Sequence, residues 1–276
     1  MILIVGGDSL IGTALKRLCA ERGLSFLATS RRPTGLDLFL DLADDPQTWN
    51  LPETIDSAIL CAAVTNVAKC EKNPAETRFV NVHQTMALAH RLRDLGVFIV
   101  FLSTDLVFSP GETPAAEDTP PDPVTQYGRQ KAEVERSLVS LTANAAVVRL
   151  GKVVSPELPL FREWARALRA QESIHPYSDV SICPVTSAFV AEEIIEITAS
   201  HSSGIHHVAG NGQITYAEVA SLICREIGAH ENLCVPVATP STVPRSRLLS
   251  NQGTGLGRHR TPPTAEKTIK DLAQNI

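Results

Sequence analysis

The sequence predicts an α/β fold, a Rossmann-type doubly wound parallel sheet with a smaller C-terminal substrate-binding subdomain. From Met1 to Leu150, short apolar runs alternate with longer runs in which apolar residues recur at helical spacing. A glycine-rich turn follows the first apolar run, and the alternation weakens beyond Gly151. Strand–helix–strand repetition is typical of a parallel sheet that binds ligands at the carboxyl ends of its strands. We therefore predict a Rossmann domain over 1–154, completed by a return segment near 184–212, and a smaller subdomain over 155–183 and 213–276.

The composition is that of an ordinary folded protein. Of the 276 residues, 43% are hydrophobic and 20% are charged, which argues against a disordered chain. A net charge of −5 and a pI near 5.9 argue against a nucleic-acid partner. The apolar runs are too short to cross a bilayer, and Met1 leads into Gly6 without a basic leader. We therefore expect a cytoplasmic protein with no membrane partner.

The cysteines and histidines predict neither disulfides nor a metal site. None of the six cysteines forms a Cys-x-x-Cys pair, and most lie in apolar segments, as buried thiols do in a reducing compartment. The eight histidines show no ligand spacing with the cysteines, and we assign His206-His207 to a strand.

The glycine-rich turn lies between a predicted strand, Met1–Val5, and a predicted helix, Leu10–Arg22. In this context a turn can bind a pyrophosphate on the backbone N–H groups of the helix N-terminus. Gly6 would make the tight turn, and Gly12 would let helix and strand pack closely. Ser9 stands where a glycine is expected, and a plain strand-to-helix turn is the alternative.

The second predicted strand, Ser25–Thr29, leads into Ser30-Arg31-Arg32. A site selective for NAD usually has an acidic residue here, which holds the ribose 2′-hydroxyl. An arginine can instead grip a 2′-phosphate with two parallel hydrogen bonds. The sequence thus predicts NADP(H) in preference to NAD(H), with two arginines on a solvated loop as the alternative.

Short polar or small-residue segments follow the next predicted strands. Asp41-Leu42 lies beyond the second strand, Ala62 and Ala63 end the third, and Ser103-Thr104 follows the fourth. The alanines permit the close approach of a cofactor. A hydroxyl of Ser103 or Thr104 would either cap the strand end or donate to a substrate carbonyl. The ranges predicted here are strands at Ala58–Ala62 and Val97–Leu102 and one long helix at Pro74–Leu95.

Tyr127 and Lys131 lie four positions apart in a predicted helix, Gln126–Leu141, after an exposed loop, Ser109–Thr125. This spacing places both side chains on one helical face. A cation beside a phenol favours the phenolate, so Lys131 would lower the pKa of Tyr127 and make proton transfer near neutral pH feasible. An exposed helical pair without function is the alternative for the pair taken alone.

The rest of the chain predicts further helices and strands with no internal repeat. The ranges are a strand at Ala145–Leu150, helices at Leu158–Ala170 and Ser187–Ala199, a strand at Ile205–Val208, a helix at Tyr216–Ile227, a loop at Gly253–Pro263 and a helix at Thr264–Ala273.

Several motifs occur together along nearly the whole chain. They are Val5–Gly12, Cys61-Ala62-Ala63, Asn81 after Arg78-Phe79-Val80, Leu102–Phe108 (Leu-Ser-Thr-Asp-Leu-Val-Phe), Tyr127–Lys131 (Tyr-Gly-Arg-Gln-Lys), Val148-Arg149-Leu150 and Gly204–Gly210. This set resembles the extended short-chain dehydrogenase/reductase superfamily, and within it the dTDP-4-dehydrorhamnose reductase family. The most specific part is Ser-Thr-Asp-x-Val-Phe followed by Tyr-Gly-x-x-Lys.

The resemblance implies an NADPH-dependent reductase of a keto group on a nucleotide sugar. Tyr127 would protonate the carbonyl oxygen as hydride arrives, and Lys131 would lower the Tyr127 pKa and hold the nicotinamide ribose. Thr104, in preference to Ser103, would hydrogen-bond the same oxygen. The other implied contacts are Gly6, Ser9, Leu10 and Ile11 at the pyrophosphate, Ser30 and Arg31 at the 2′-phosphate, Asp41 and Leu42 at the adenine, and Ala62 and Ala63 along the cofactor channel.

The departures from the family pattern concern the substrate. The family's Asp-Gln-x-Gly-x-Pro-Thr segment reads Asp179–Val185 here, with Val180, Ile182 and Val185 at changed positions, and its tyrosine after Ser-Thr-Asp is Leu106. Arg245, Arg247, Arg258 and Arg260 are candidates for contact with a diphosphate or for simple surface charges. The reaction type is therefore better specified than the substrate.

Two alternative functions stay open at this stage. One is an epimerase or dehydratase of the same superfamily, against which Arg31 and Arg32 argue because such enzymes more often bind NAD. The other is a non-catalytic NADP-binding regulatory subunit, which the altered Asp179–Val185 segment favours and the retained Tyr127, Lys131 and Thr104 oppose. The sequence leaves the oligomeric state open, a homodimer included.

Overall fold

The computed structural model describes residues 1–32, 38–111, 113–240, 249 and 261–276. Its centre is a parallel sheet of seven strands in the order β10-β6-β5-β4-β1-β2-β3. The strands are β1 (Ile2–Val5), β2 (Phe26–Ser30), β3 (Leu38–Phe39), β4 (Ser57–Leu60), β5 (Phe98–Thr104), β6 (Ala145–Leu150) and β10 (Gly204–Val208). The predicted Rossmann-type doubly wound sheet is confirmed.

The chain reverses its direction of travel across the sheet between β1 and β4. It runs outward from β1 to β3, then returns to the other side of β1 and continues from β4 to β10. A doubly wound sheet opens a crevice at such a switch point, beyond the carboxyl ends of the strands. The segments that follow β1, β2, β4 and β5 therefore converge on one crevice.

Helices cover both faces of this sheet. The helices of the described residues are α1 (Leu10–Glu21), α2 (Val67–Lys72), α3 (Pro74–Arg78), α4 (Thr85–Asp94), α5 (Gln126–Leu141), α6 (Pro159–Arg169), α7 (Ser187–Ala199), α8 (Tyr216–Glu226) and α9 (Ala265–Ala273), of which α6, α8 and α9 lie outside the sheet. Leu15 of α1 and Ile194 of α7 are fully buried in the core on one face. Leu92 of α4 and Leu138 of α5 are fully buried in the core on the other. Each face of the sheet is thus covered by the apolar sides of helices whose amphipathic spacing is visible in the sequence.

The predicted long helix Pro74–Leu95 is wrong. A π-helical segment, Phe79–Gln84, separates α3 from α4. The wider turn brings the buried Asn81 side chain to the backbone of Val64, from whose N–H it accepts a hydrogen bond at 2.7 Å. Helical periodicity in the sequence does not reveal this insertion, because the apolar spacing survives a single wide turn. Helix α2 and the two-residue β3 are also absent from the prediction.

A separate hydrophobic cluster lies outside the sheet, formed by α6, α8 and α9. Its buried members come from residues 154–182, 214–224 and 265–273, among them Phe161, Ile223 and Ile269. Four two-residue strands in this part of the chain form two small sheets of their own: β7 (Val153–Val154) pairs with β9 (Val185–Thr186), and β8 (Ser181–Ile182) with β11 (Ile214–Thr215). We propose that this cluster is the core of the smaller subdomain, whose predicted bounds were 155–183 and 213–276.

In the part of the chain that the structure describes, every helix is too short or too polar to traverse a bilayer. The six cysteines are free thiols, and His206-His207 lies in strand β10 as predicted.

Candidate cofactor and substrate site

The turn after β1 requires glycine at two of its positions. Gly6 has a φ of +86°, and a Cβ there would lie 2.8 Å from the backbone nitrogen of Ala62. A Cβ on Gly12 would lie 2.3 Å from the carbonyl oxygen of Gly6. Ser9, by contrast, has a φ of −73°, and its hydroxyl accepts from the Gly12 N–H at 3.0 Å to cap α1. The position that departs from the glycine pattern therefore needs no glycine in this chain.

A cavity of about 280 Å³ opens beyond this turn, where the crevice was expected. Seven residues predicted to contact the cofactor line it: Gly6, Ser9, Arg31, Asp41, Leu42, Ala62 and Ala63. Leu10 and Ile11 lie in the first turn of α1, with Leu10 exposed, and Gly12 is buried under the turn. These positions suit a dinucleotide whose pyrophosphate rests on the α1 N-terminus.

The two arginines after β2 differ in their partners. Arg32 forms an ion pair with Asp8 at 3.4 Å. Arg31 lines the same cavity, and no described residue forms an ion pair with it. Ser30 is buried, and its hydroxyl accepts from the Arg32 N–H at 3.0 Å, so it acts on the loop and not on the cavity. Arg31 is thus the guanidinium left available for an anionic ligand.

A second and larger cavity, about 1240 Å³, adjoins the first at Thr65, which lines both. Tyr127 and Thr104 line it on the sheet side, together with Gly151 and Lys152. Its lining also includes aromatic and apolar side chains from the part of the chain that holds the smaller cluster: Leu160, Trp164, Pro176, Tyr177, Val180, Ile182 and Tyr216. The predicted proton donor and hydroxyl partner therefore meet in one cleft between the sheet and the smaller cluster.

Ser103 and Thr104 point in different directions at the end of β5. Successive strand residues face opposite sides of a sheet. Ser103 is buried, and its hydroxyl donates to the carboxylate of Glu135. The Thr104 hydroxyl accepts from the Leu106 N–H at 3.2 Å and donates to the Asp105 carboxylate at 3.0 Å, and Thr104 lines the large cavity. Of the two hydroxyls, only the one on Thr104 lies along the cleft.

Lys131 is buried on helix α5 and, unlike Tyr127, lines neither cavity. Its ammonium donates to the Leu102 carbonyl at 2.8 Å and lies 4.4 Å from the centre of the Phe101 ring. It is 5.9 Å from the centre of the Tyr127 ring. Burial lowers the pKa of Lys131 to about 8, although the nearby Glu135 carboxylate acts in the opposite direction. Lys131 can therefore change charge in the range in which enzymes work.

The expected lowering of the Tyr127 pKa is not found in this structure. Burial raises the pKa of Tyr127 above that of a free phenol, and the charge of Asp105 acts in the same direction. The physical reason is that desolvation penalises the phenolate, while Lys131 is bonded to Leu102 and not to the phenol oxygen. Tyr127 is thus held in its protonated form, the form that a proton donor needs.

A buried hydrogen-bond chain fixes the loop after β4, a feature that the sequence did not reveal. The Asn81 amide donates to the Val64 carbonyl at 3.0 Å and to the Gln130 side chain at 2.7 Å. Gln130 in turn donates to Thr77 at 2.9 Å. Val64 lines the cofactor cavity, so Asn81 and Gln130 tie the wall of that cavity to helix α5. Asn81 belongs to one of the motifs in the sequence, but only the fold assigns it this contact.

The altered Asp179–Val185 segment divides between cleft and core. Val180 and Ile182 line the large cavity, whereas Val185 is fully buried in the sheet core. The Asp179 carboxylate accepts from the Thr239 N–H at 2.9 Å. The candidate diphosphate contacts Arg245, Arg247, Arg258 and Arg260, and the predicted loop Gly253–Pro263 except its last three residues, lie outside the described residues.

The family described as RmlD substrate binding domain matches residues 1–272. The chain belongs to this RmlD family. Membership also confirms the predicted resemblance to the extended short-chain dehydrogenase/reductases, and with it the prediction of an NAD(P)-dependent oxidoreductase at the level of the family.

Two curated relatives of this RmlD-family chain are named as reductases. A probable low-salt glycan biosynthesis reductase, Agl14 of Haloferax volcanii, is 29% identical over 245 residues, covering 83% of this chain and 81% of the relative. A dTDP-4-dehydrorhamnose reductase of Streptomyces griseus is 28% identical over 262 residues, covering 90% and 84%.

Solved structures share the fold of this RmlD-family chain. The dTDP-4-dehydrorhamnose reductase of Bacillus anthracis, in complex with NADP, superposes with a TM-score of 0.85 at 20% identity, covering 98% of this chain and 96% of that one. MoeE5 in complex with UDP-glucose and NAD gives a TM-score of 0.80 at 18% identity, covering 99% and 97%. Proteins of this fold thus bind either dinucleotide.

Proposed function

We propose that this protein is an NADPH-dependent reductase that reduces a keto group on a nucleotide sugar. The observation that carries the proposal is the meeting of Tyr127 and Thr104 in a cleft that adjoins the Arg31-lined cavity at Thr65. One cleft thus offers two hydroxyls to a carbonyl oxygen, and the neighbouring cavity offers a cation and a glycine turn to a dinucleotide. The names of two relatives, a probable glycan biosynthesis reductase and a dTDP-4-dehydrorhamnose reductase, support the same reaction class.

The reduction of a ketone to an alcohol adds a hydride to the carbonyl carbon and a proton to the carbonyl oxygen. The glycine turn and Arg31 would hold the dinucleotide, whose nicotinamide would supply hydride to the carbonyl carbon and so leave negative charge on the carbonyl oxygen. The Thr104 hydroxyl has one proton, which it donates to the Asp105 carboxylate in this structure; turned instead toward that oxygen, it would stabilise the developing negative charge. Tyr127 then transfers its hydroxyl proton to the oxygen, which completes the alcohol. Lys131 supplies the positive charge that limits the cost of the phenolate left on Tyr127.

Cofactor preference rests on Arg31. Its guanidinium lines the cofactor cavity without an ion-pair partner among the described residues, whereas the neighbouring Arg32 is paired with Asp8. A 2′-phosphate would give Arg31 the partner it lacks, so NADPH is favoured over NADH.

The large cleft suits a ligand of nucleotide-sugar size. Its volume of about 1240 Å³ exceeds what a single sugar ring occupies. Trp164 and Tyr216 form an edge-to-face pair on its far wall, with ring centres 6.2 Å apart, and provide an apolar surface for a base. Sugar and base would then occupy opposite ends of the cleft, the sugar near Tyr127.

A non-catalytic NADP-binding subunit is the second candidate function. Val180 and Ile182 make the cleft wall apolar where the family pattern has polar or small residues, which favours lost or altered substrate binding. An epimerase or dehydratase is disfavoured by the free Arg31.

The free cysteines support a cytoplasmic location. A homodimer stays a prediction that sedimentation would test.

The test is a panel of 4-keto nucleotide sugars with NADPH or NADH, followed by the loss of reduced-nicotinamide absorbance. We expect turnover with at least one keto sugar and a preference for NADPH. A protein that binds NADPH tightly but reduces none of the panel would contradict the reductase and support the regulatory subunit. Equal affinity for both dinucleotides would contradict the role of Arg31.

A further inference from the structure

A buried polar row crosses three neighbouring strands beside the cleft. Ser103 of β5, Arg149 of β6 and His207 of β10 are Cα partners in the sheet, so their side chains stand side by side on the face that α5 covers. All three are less than 5% exposed. Elsewhere on this face the described strand residues are mainly apolar, such as Ile99, Phe101 and Val147. The row is therefore a specific polar feature of an otherwise apolar core.

Glu135 of helix α5 packs on this row and binds two of its residues, Ser103 and Arg149. Its carboxylate accepts from the Arg149 Nε at 3.1 Å, from an Arg149 terminal nitrogen at 2.9 Å, and from the Ser103 hydroxyl. Arg149 also donates to the backbone carbonyl of Glu117 at 3.2 Å and lies 3.3 Å from the His207 Nε2. The Glu117 carboxylate accepts from the His207 N–H at 2.9 Å. The charges of Glu135 and Arg149 are thus each satisfied by several hydrogen bonds.

The cluster lies next to each residue proposed for proton transfer. Ser103 directly precedes Thr104 in the sequence, and Glu135 lies one helical turn after Lys131. Glu117 belongs to the loop Ser109–Thr125, which leads directly into the helix that carries Tyr127. The cluster therefore links the strand end, the catalytic helix and the loop beside the cleft.

Stability alone does not account for such a cluster. Removing two charges from water costs several kcal/mol per ion, and a buried pair is often replaced by apolar residues without loss of stability. A bidentate arginine–carboxylate pair does, however, fix the relative position of the elements that carry it. Because the pair lies beside Thr104 and Lys131, it would fix the relative position of these two residues.

We propose that Glu135 is a positioning residue for the reaction: it fixes helix α5 on the end of β5 and holds a negative charge beside Lys131. Glu135 lines neither the cofactor cavity nor the large cleft, so it acts through Lys131 and Thr104. The proposal rests on the proposed function for its role in turnover, but its effect on Lys131 is measurable through cofactor binding alone.

The charged and titratable groups around Lys131 are few. Glu135 and Tyr127 flank it on α5, Cys61 approaches from the end of β4, and Cys70 from α2. The β5 residues in contact, Phe101 and Leu102, are uncharged. The described surroundings thus contain one carboxylate close enough to favour the ammonium, and it belongs to Glu135.

The test compares Glu135→Gln with the wild type by measuring NADPH affinity from neutral to alkaline pH. In the wild type, affinity should fall as Lys131 loses its proton near pH 8. Removing the carboxylate lowers the Lys131 pKa, so the fall should occur at a pH lower by about one unit. At a fixed pH on that slope the affinity should be weaker by up to about tenfold. The basic limb of kcat/KM should move with it.

Two further variants separate positioning from folding. Glu133→Gln makes the same chemical change on the same helix, where Glu133 pairs with the surface residue Arg78, and should follow the wild-type profile. Glu135→Gln combined with Arg149→Met leaves no unpaired buried charge, so it should recover thermal stability yet keep the displaced profile. This double variant decides the question if Glu135→Gln fails to fold.

Three outcomes would overturn the proposal. They are a flat wild-type profile, a Glu135→Gln profile that coincides with that of the wild type, or a double variant that recovers both stability and the wild-type profile. A wild type that reduces no sugar would contradict the proposed function, while the binding profiles would still report on Glu135.

Discussion

The Lys131 ammonium donates a hydrogen bond to the carbonyl oxygen of Leu102 at 2.8 Å, which ties helix α5 to the strand that ends in Thr104. The amine expected to tune Tyr127 is therefore anchored on β5. Burial holds the pKa of Lys131 at about 8 and raises that of Tyr127. A bound ribose would offer Lys131 new acceptors, and we expect the tuning of Tyr127 to depend on them.

Lys131→Met should stabilise the protein while it abolishes turnover. A pKa lowered from 10.5 to about 8 means that the folded state disfavours the ammonium. At about 1.4 kcal/mol per unit, less roughly 1 kcal/mol for the lost hydrogen bond, the gain in the free energy of unfolding should be about 1–3 kcal/mol at neutral pH. Urea denaturation measures it, with the exposed Lys267→Met as the control.

The same pKa predicts how this gain depends on pH. Below about pH 8 Lys131 is charged in the folded and unfolded states, so the full penalty is present. Between the two pKa values the folded state binds fewer protons, and the wild type gains stability as the pH rises. The difference between the wild type and Lys131→Met should therefore shrink above pH 8. A difference that stays constant would contradict the assignment.

Arg31→Gln should weaken NADPH and spare NADH. The loss of a charge-assisted bond to a 2′-phosphate is worth about 1.5–3 kcal/mol, or about 10- to 150-fold in affinity. Arg32→Gln removes the same charge from the neighbouring position, which is paired with Asp8, and should change the NADPH affinity less. Calorimetric titration with both dinucleotides measures the four values. Equal losses in the two variants would show that the loop acts by its net charge.

Thr104→Val and Ser103→Ala should have different consequences. Thr104→Val removes the hydroxyl along the cleft, so kcat/KM should fall by about 10²- to 10³-fold with a small change in melting temperature. Ser103→Ala removes a donor to the buried Glu135 carboxylate and should cost about 1–3 kcal/mol of stability. Steady-state kinetics and thermal denaturation of both variants distinguish the two roles. The reverse pattern would assign the carbonyl contact to Ser103.

Gly12→Ala should disrupt the cofactor turn through a steric clash with backbone. The new Cβ would lie 2.3 Å from the Gly6 carbonyl oxygen, a contact that requires the turn or helix α1 to shift. Gly23→Ala is the control, since Gly23 also needs a special backbone (φ +64°) but has open space around it. We expect Gly12→Ala to lose measurable dinucleotide binding and Gly23→Ala to keep it, at a cost of about 1 kcal/mol in stability.

The sheet and most helices were predictable because periodicity reports burial. Helices α5 and α7 and strand β6 have the predicted bounds, since each has a complete amphipathic or apolar pattern between clear terminators. The wide turn at Asn81 was not predictable, because its cause is a contact with Val64 on another element.

The candidate site divides in the same way. Gly6, Arg31, Tyr127 and Thr104 could be placed because the carboxyl ends of parallel strands meet at one edge. The rise in the Tyr127 pKa could not be predicted, because it depends on burial and on the bond that Lys131 makes to Leu102. The partnership of Glu135 with Ser103 and Arg149 likewise joins residues far apart in the chain, and no local pattern predicts it.

The central claim is that Tyr127 donates the proton during NADPH-dependent reduction of a keto sugar. Tyr127→Phe removes only the hydroxyl, and NADPH oxidation with an active 4-keto nucleotide sugar measures the effect. Turnover should fall by at least about 100-fold with NADPH affinity nearly unchanged, whereas Tyr216→Phe, in the same cleft, should lose less than about tenfold. A Tyr127→Phe protein that oxidises NADPH at the wild-type rate would contradict the account.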